Sequence, residues 1–288
     1  MKPQSLNTKI FVDSGDPNET KEAIRLLGFL DGQTTNPTLI SKNPEAKEEV
    51  EEGDKFTKQE LLGFYKEVVR EISGLIRQGS VSVEVYADKN TTTEEMLTQG
   101  REMFSWIPNA HVKFPTTKQG LAAAEQAVKE GMRVNMTLCF SQEQAAAVYG
   151  ATRGAKKGDV FVSPFIGRLD DRGENGMNLI ENILRMYGKG DGHVEVLTAS
   201  VRNLDHFLYA LHLGSDIITS PFKILKEWAE KGMATPGDAF VYEVGELKPI
   251  AYKELDLKKD WREFDISHEL TDNGMERFSS DWNNLMKL

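Results

Sequence analysis

Residues 112–140 read VKFPTTKQGLAAAEQAVKEGMRVNMTLCF. Two apolar runs, at 110–114 and 132–138, bracket one helical stretch, TKQGLAAAEQAVKEG, that closes on glycine as helix ends commonly do. Two parallel strands need a crossover of about this length, and a helix is its usual form. The same alternation continues in both directions. Strand-like runs at 9–13, 31–35, 81–86, 159–163, 193–198 and 215–219 bring the set to eight. Helical segments such as NETKEAIRLLGFL, KQELLGFYKEVVREISGLIRQ, NLIENILRMYGKG and PFKILKEWAEKG lie between them. Strand and helix taking turns, with no block of consecutive strands, predicts an α/β fold, a (β/α)8 TIM barrel. A doubly wound open sheet would be expected to carry a G-x-G-x-x-G turn after its first strand, and FVDSGDPNET has no such spacing. The glycines of GKGDGH precede a strand and read as a plain helix-to-strand loop.

Outside the alternation lie two segments. Residues 41–58 are polar and acidic and read as a solvated excursion within a barrel domain spanning 1–244. Residues 245–288 carry Trp261, Phe264, Phe278, Trp282 and Leu285, too many apolar anchors for a loose end, and are expected to form a helical tail docked on the barrel.

Charge narrows the partners. The 45 acidic residues exceed the 35 basic ones to give −10, which argues against nucleic acid and anionic membrane surfaces. No apolar run is long enough to cross a bilayer and MKPQSLNTKIFVD has no signal-peptide core, so a cytoplasmic location is expected. One cysteine, Cys139, excludes an internal disulfide framework and reads as a buried inert thiol. The five histidines form no H-x-x-x-H or H-E-x-x-H set, so no metal is expected. Only His111, two residues before Lys113 on the same strand face, invites a closer look.

In a parallel barrel the chemistry gathers at the C-terminal ends of the strands. Here those ends are polar: Asp13, Ser82 and Glu84, Lys113, Asn135 and Thr137, Ser163, then Ser200 and Arg202. One buried lysine by itself is more simply a structural ion-pair partner of Glu84 or Asp13. A lysine, two carboxylates and several hydroxyl and amide groups converging on one rim exceed what stability requires. A lysine at a barrel mouth suits imine formation with a carbonyl substrate. An ordinary lysine, with a pKa of about 10.4, is almost wholly protonated at pH 7, so burial or a neighbouring cation must favour the neutral amine. Asp13 and Glu84 are the candidates for moving protons. Arg168, in SPFIGRLDDRG, and Ser200 with Arg202, in TASVRN, fall where barrels often hold phosphate. The competing assignment pairs Arg168 with Asp170 or Asp171 and Arg202 with Asp205.

These motifs resemble those of the transaldolase family: VDSGD, DGQTTNPTLI, VSVEV, VKFPTTKQGLAAAE, VNMTLCFSQEQA, VSPFIGR and TASVRN, in that order along the barrel. The resemblance implies Lys113 as the Schiff-base lysine, Asp13 as the acid/base for bond cleavage, and Glu84 with Thr137 as the pair that places a water. It implies Asn36 and Asn135 as substrate-positioning amides, Ser163 as a contact to the donor sugar, and Arg168, Ser200 and Arg202 as a phosphate clamp. The reaction implied moves a dihydroxyacetone unit from a ketose phosphate to an aldose phosphate, without a cofactor, in the pentose phosphate pathway. Family members differ in oligomeric state, and a homo-oligomer is compatible with the likeness. The related fructose-6-phosphate aldolases usually carry glutamine in place of Glu84 and tyrosine in place of Phe165; this sequence has the transaldolase choice at both. It departs from longer transaldolases in having only eight residues before its first strand, and the 41–58 excursion has no assigned counterpart.

Overall fold

A computed structural model describes residues 2–4, 6–237 and 239–287. Eight parallel strands close into a barrel in sequence order. They are β1 (Lys9–Asp13), β2 (Gly32–Thr34), β3 (Ser80–Glu84), β4 (Ala110–Pro115), β5 (Val134–Cys139), β6 (Val160–Pro164), β7 (Val194–Thr198) and β8 (Ile217–Ser220). Around them run α1 (Pro17–Leu27), α2 (Pro37–Ile40), α3 (Pro44–Glu51), α4 (Lys58–Leu75), α5 (Thr93–Phe104), α6 (Lys118–Lys129), α7 (Gln142–Ala151), α8 (Ile166–Asp170), α9 (Gly176–Tyr187), α10 (Leu204–His212) and α11 (Phe222–Glu230). The TIM barrel expected from the alternation is therefore present, with a C-terminal helix, α12 (Glu269–Asn283). Among the described residues, no helix is long and apolar enough to cross a membrane.

Local chemistry explains how the 112–140 unit is set. Thr117 caps α6 by accepting the Gly120 amide at 3.1 Å. Gly120 is needed because a Cβ there would lie 1.9 Å from the Pro115 carbonyl oxygen. The T-x-x-G part of the motif thus brings the first helical turn hard against the strand that bears Lys113. On the next strand, Leu138 adopts a left-handed φ of 58° where the β5–β6 register shifts between Met136 and Cys139.

Two expectations need correction. The 41–58 excursion is not merely solvated: it contains α3, buries Ala46, and pairs Phe56 with the chain end, where the Phe56 amide donates to Leu285 O at 2.9 Å and the Lys287 amide to Phe56 O at 2.8 Å. Nor is the tail helical throughout. Its first half is a mostly irregular strap held by side-chain amides, with the Asn182 side chain donating to Ile250 O at 2.9 Å and Gln142 exchanging bonds with the Lys253 backbone at 2.8 and 3.1 Å. Only then does α12 cross the C-terminal end of the barrel. There Thr271 donates to the Leu138 carbonyl at 3.0 Å, and Met275, Phe278 and Trp282 are buried. Trp282 packs against Tyr65 with ring centroids 5.8 Å apart.

Candidate active site

Register brings the central groups together. Glu84 pairs with Lys113 across β3 and β4, and Lys113 with Asn135 across β4 and β5, so the three stand side by side. Lys113 Nζ lies 2.7 Å from Glu84 Oε2 and donates to the Thr35 carbonyl at 2.9 Å, and the two side chains are 3% and 5% exposed. The two meet as an ion pair, and Glu84 Oε2 has no hydrogen-bond partner of good geometry among the described residues. Burial, opposed by Lys113, raises the pKa of Glu84. Asp13 is raised by the same balance, burial against Lys113 and the 2.6 Å bond that its Oδ1 accepts from Thr34. A proton near Lys113 therefore belongs to a coupled set with two unusually basic carboxylates.

The remaining predicted residues fall into three groups. Asn135 donates to Ser82 Oγ at 3.0 Å and accepts from Ser163 at 2.6 Å, a buried chain that fixes its amide. Thr137 is buried with Oγ1 unpartnered among the described residues. Asn36 spends its Oδ1 capping α2, accepting the Leu39 amide at 2.9 Å, which leaves Nδ2 as its available donor. The TTNP motif thus serves two neighbouring strands and a helix: Thr34 reaches Asp13 on β1, Thr35 donates to Ser82 O on β3 at 2.7 Å, and Asn36 caps α2, which Pro37 opens.

Arg168, Ser200 and Arg202 meet through Gly167. Its amide donates to Ser200 O at 3.1 Å, with Ser200 held at a left-handed φ of 59°, and a Cβ at Gly167 would stand 2.4 Å from Arg202 Nε. The pairings weighed from the sequence do not form as expected. Arg202 meets Asp171 at 2.8 Å, both half exposed, while Asp170 takes His206 at 2.8 Å. Among the described residues no carboxylate pairs with Arg168; its guanidinium stands over the rings of Phe165 and Phe278, 5.5 and 5.4 Å from their centroids. Burial, then Arg277 and Arg202, lower its pKa.

Sequence reasoning missed three groups. Tyr65 OH accepts the Glu84 amide at 2.9 Å and, because the Thr35 hydroxyl proton is directed to Ser82 O, donates to Thr35 Oγ1 at 2.6 Å. His206 sets Nε2 2.8 Å from Asp170 Oδ2 and accepts the Arg202 amide on Nδ1 at 3.4 Å. Arg277 arrives from α12. None has a local signal, since each is brought in by packing between distant segments. His111, by contrast, belongs to the opposite end: it bonds Ser80 Oγ at 2.7 Å and Gly158 O at 2.9 Å, stacks on Phe161, and burial pushes its pKa down to about 3. It borders a cavity of about 830 Å³ at the N-terminal end, away from Lys113.

The model of the transaldolase/fructose-6-phosphate aldolase family matches residues 10–288. The chain belongs to that family. It is 35% identical over 279 residues to a probable transaldolase of Dehalococcoides mccartyi, covering 97% of this chain and 100% of the relative. Probable transaldolases of Brucella ovis, 35% identical, and Cereibacter sphaeroides, 36% identical, align over 274 residues, 95% of this chain and 96% and 95% of their own. Family membership makes the barrel mouth, with its buried lysine, the place to seek aldolase-type chemistry, and the motifs quoted from the sequence are those that converge there.

Proposed function

We propose that the protein is a transaldolase that carries dihydroxyacetone on Lys113. The observation that carries this reading is the buried Lys113 amine set 2.7 Å from Glu84, in a pocket where both nearby carboxylates have raised pKa values. Glu84 takes the ammonium proton, and the free amine adds to the ketone carbon of a ketose phosphate such as sedoheptulose 7-phosphate or fructose 6-phosphate. Loss of water leaves an iminium. Asp13 removes the proton of the hydroxyl on the far carbon of the bond to be broken; that carbon becomes the aldehyde, the bond's electron pair passes into the iminium, an aldose phosphate departs, and an enamine remains. The acceptor aldehyde reverses these steps, and water guided by Glu84 and Thr137 releases the new ketose. Asn135 and Ser163 hold the three-carbon unit with Asn36, while Arg168, Ser200 and Arg202 hold the phosphate.

Transfer is favoured over release of free dihydroxyacetone by Phe165. A phenol at this place could help protonate the enamine; a phenyl ring, buried against Phe140 and Arg168, cannot. In this reading residues 1–244 form the catalytic barrel, 245–288 form its covering tail, and the enzyme works in the cytoplasm on pentose phosphate intermediates. Borohydride added with fructose 6-phosphate is expected to fix a three-carbon adduct on Lys113, located by peptide mapping. An adduct on another lysine, or turnover by Lys113→Met, defeats the proposal. Product formation that continues without an aldose phosphate acceptor would move the enzyme to the aldolase branch.

A further inference from the structure

We propose that Arg277, on the C-terminal helix, is a third cation of the phosphate subsite and that α12 brings it there to read the phosphorylated end of the sugar. The inference rests on the transaldolase reading for the identity of the substrate, but its geometry is independent. Gly274 sits where a Cβ would be 2.9 Å from Arg168 Nη1 and 2.6 Å from Leu138 Cδ2, so α12 approaches Arg168 as closely as a glycine allows. A glycine inside a helix costs about 1 kcal/mol relative to alanine, which gives this close approach a reason. Positions three and four residues further on lie on the same helix face. Phe278 occupies one, with its ring 5.4 Å from the Arg168 guanidinium, and Arg277 occupies the other.

The charges then make an unbalanced group. Arg168 has no ion-pair partner among the described residues, because Asp170 and Asp171 are engaged by His206 and Arg202. Arg277 is 62% exposed and its nearest carboxylate, Asp281, stands 3.8 Å away, a loose i,i+4 contact. In a chain of net charge −10, packing that brings Arg277 and Arg202 within Coulombic reach of Arg168 is unfavourable by itself. A doubly charged phosphomonoester placed among them reverses the sign. Helix and substrate are thereby linked: α12 covers the mouth most firmly when a phosphate lies beneath Arg277.

The test compares wild type with Arg277→Gln and Arg277→Lys. Calorimetry with inorganic phosphate is expected to show affinity weakened about tenfold in Arg277→Gln, the order of one charge-assisted hydrogen bond, and largely regained in Arg277→Lys. The KM for fructose 6-phosphate should rise by a similar factor with kcat within twofold, while borohydride trapping of unphosphorylated dihydroxyacetone on Lys113 proceeds at the wild-type rate. Unchanged phosphate affinity in Arg277→Gln, or equal losses with phosphorylated and unphosphorylated compounds, overturns the assignment. Failure of wild type to trap any ketose at Lys113 would instead strike the transaldolase reading, with the phosphate titration still deciding the role of Arg277.

Discussion

The barrel holds a lysine–glutamate pair at each end, and the two differ in every respect except composition. At the N-terminal end Lys9 donates to both oxygens of Glu195, at 2.9 and 3.0 Å, with its own side chain 40% exposed. The acid is fully satisfied and the base keeps water. At the C-terminal end Lys113 meets a single oxygen of Glu84, both groups are shut away from solvent, and that oxygen lacks a proper hydrogen bond among the described residues. A pair built for stability satisfies its lone pairs; a pair built for proton transfer leaves one end ready to change. Two of the three non-glycine residues at left-handed φ among the described residues, Leu138 and Ser200, also lie at the C-terminal end; the third, Met233, follows α11.

Replacing each lysine separates the two pairs most strongly. If Lys113 forms the proposed Schiff base, Lys113→Met is expected to lower turnover by at least about 10⁴-fold, since covalent catalysis would be lost and general acid–base catalysis alone contributes about 10²–10⁴. Lys9→Met should keep turnover per folded molecule within about twofold and yet destabilise the fold by about 3–5 kcal/mol, because it strands a buried carboxylate. Steady-state rates beside urea unfolding would read both; a dead but stable Lys9→Met enzyme breaks the comparison.

Asp13 sharpens it. Its pKa is raised by folding, so its contribution to stability is present below the ordinary carboxylate value of about 3.9 and is lost as pH rises through the folded-state value. Asparagine resembles the protonated form and can still accept from Thr34. Asp13→Asn should therefore lose about 10²–10⁴ in turnover while gaining about 1 kcal/mol of stability at pH 7.5. If Asp13→Asn proved less stable than the parent at neutral pH, burial strain at this site would have been misread.

How much of this was readable beforehand follows the range of the interactions. Strand period, a glycine after several of the helices and Thr117 capping are local, so the barrel and the rim residues Asp13, Glu84, Lys113 and Asn135 stand out from the chain alone. Facing in a β-strand depends only on parity, which is why Ser82 could be put on one face with Glu84 and Asn135 on one face with Thr137; that Glu84 stands beside Lys113 comes from the β3–β4 register. Arg277, Tyr65 and His206 could not be found that way. Their positions depend on α12, α4 and α10 docking, and a surface arginine four residues before an aspartate looks like an ordinary helix pair. The competing ion pairs failed for a related reason: Asp170 and Asp171 lie near Arg168 in sequence, but one turn of α8 points them to His206 and Arg202.

The smallest effect on turnover is expected at His111, and there the two ends part through pH. Its pKa is pushed down to about 3 by burial, with Arg133 and Lys9 adding repulsion against a charged ring. A neutral imidazole is thus part of the fold, and its contribution is complete above the unfolded value of about 6.5 and is lost as pH falls from there toward 3. Across that window stability should decline by up to about 1.4 kcal/mol per pH unit from this group alone. The carboxylates of the other rim act in the opposite direction, since protonation relieves Asp13 and Glu84. His111→Gln retains a donor and an acceptor for Gly158 O and Ser80 Oγ while removing the titration. Unfolding curves between pH 7 and 4 should flatten in that variant, with transaldolase activity at pH 7.5 unchanged within twofold. Equal slopes for parent and variant would mean that water reaches this ring, and that the N-terminal end is less sealed than its bonds to Ser80 and Gly158 imply.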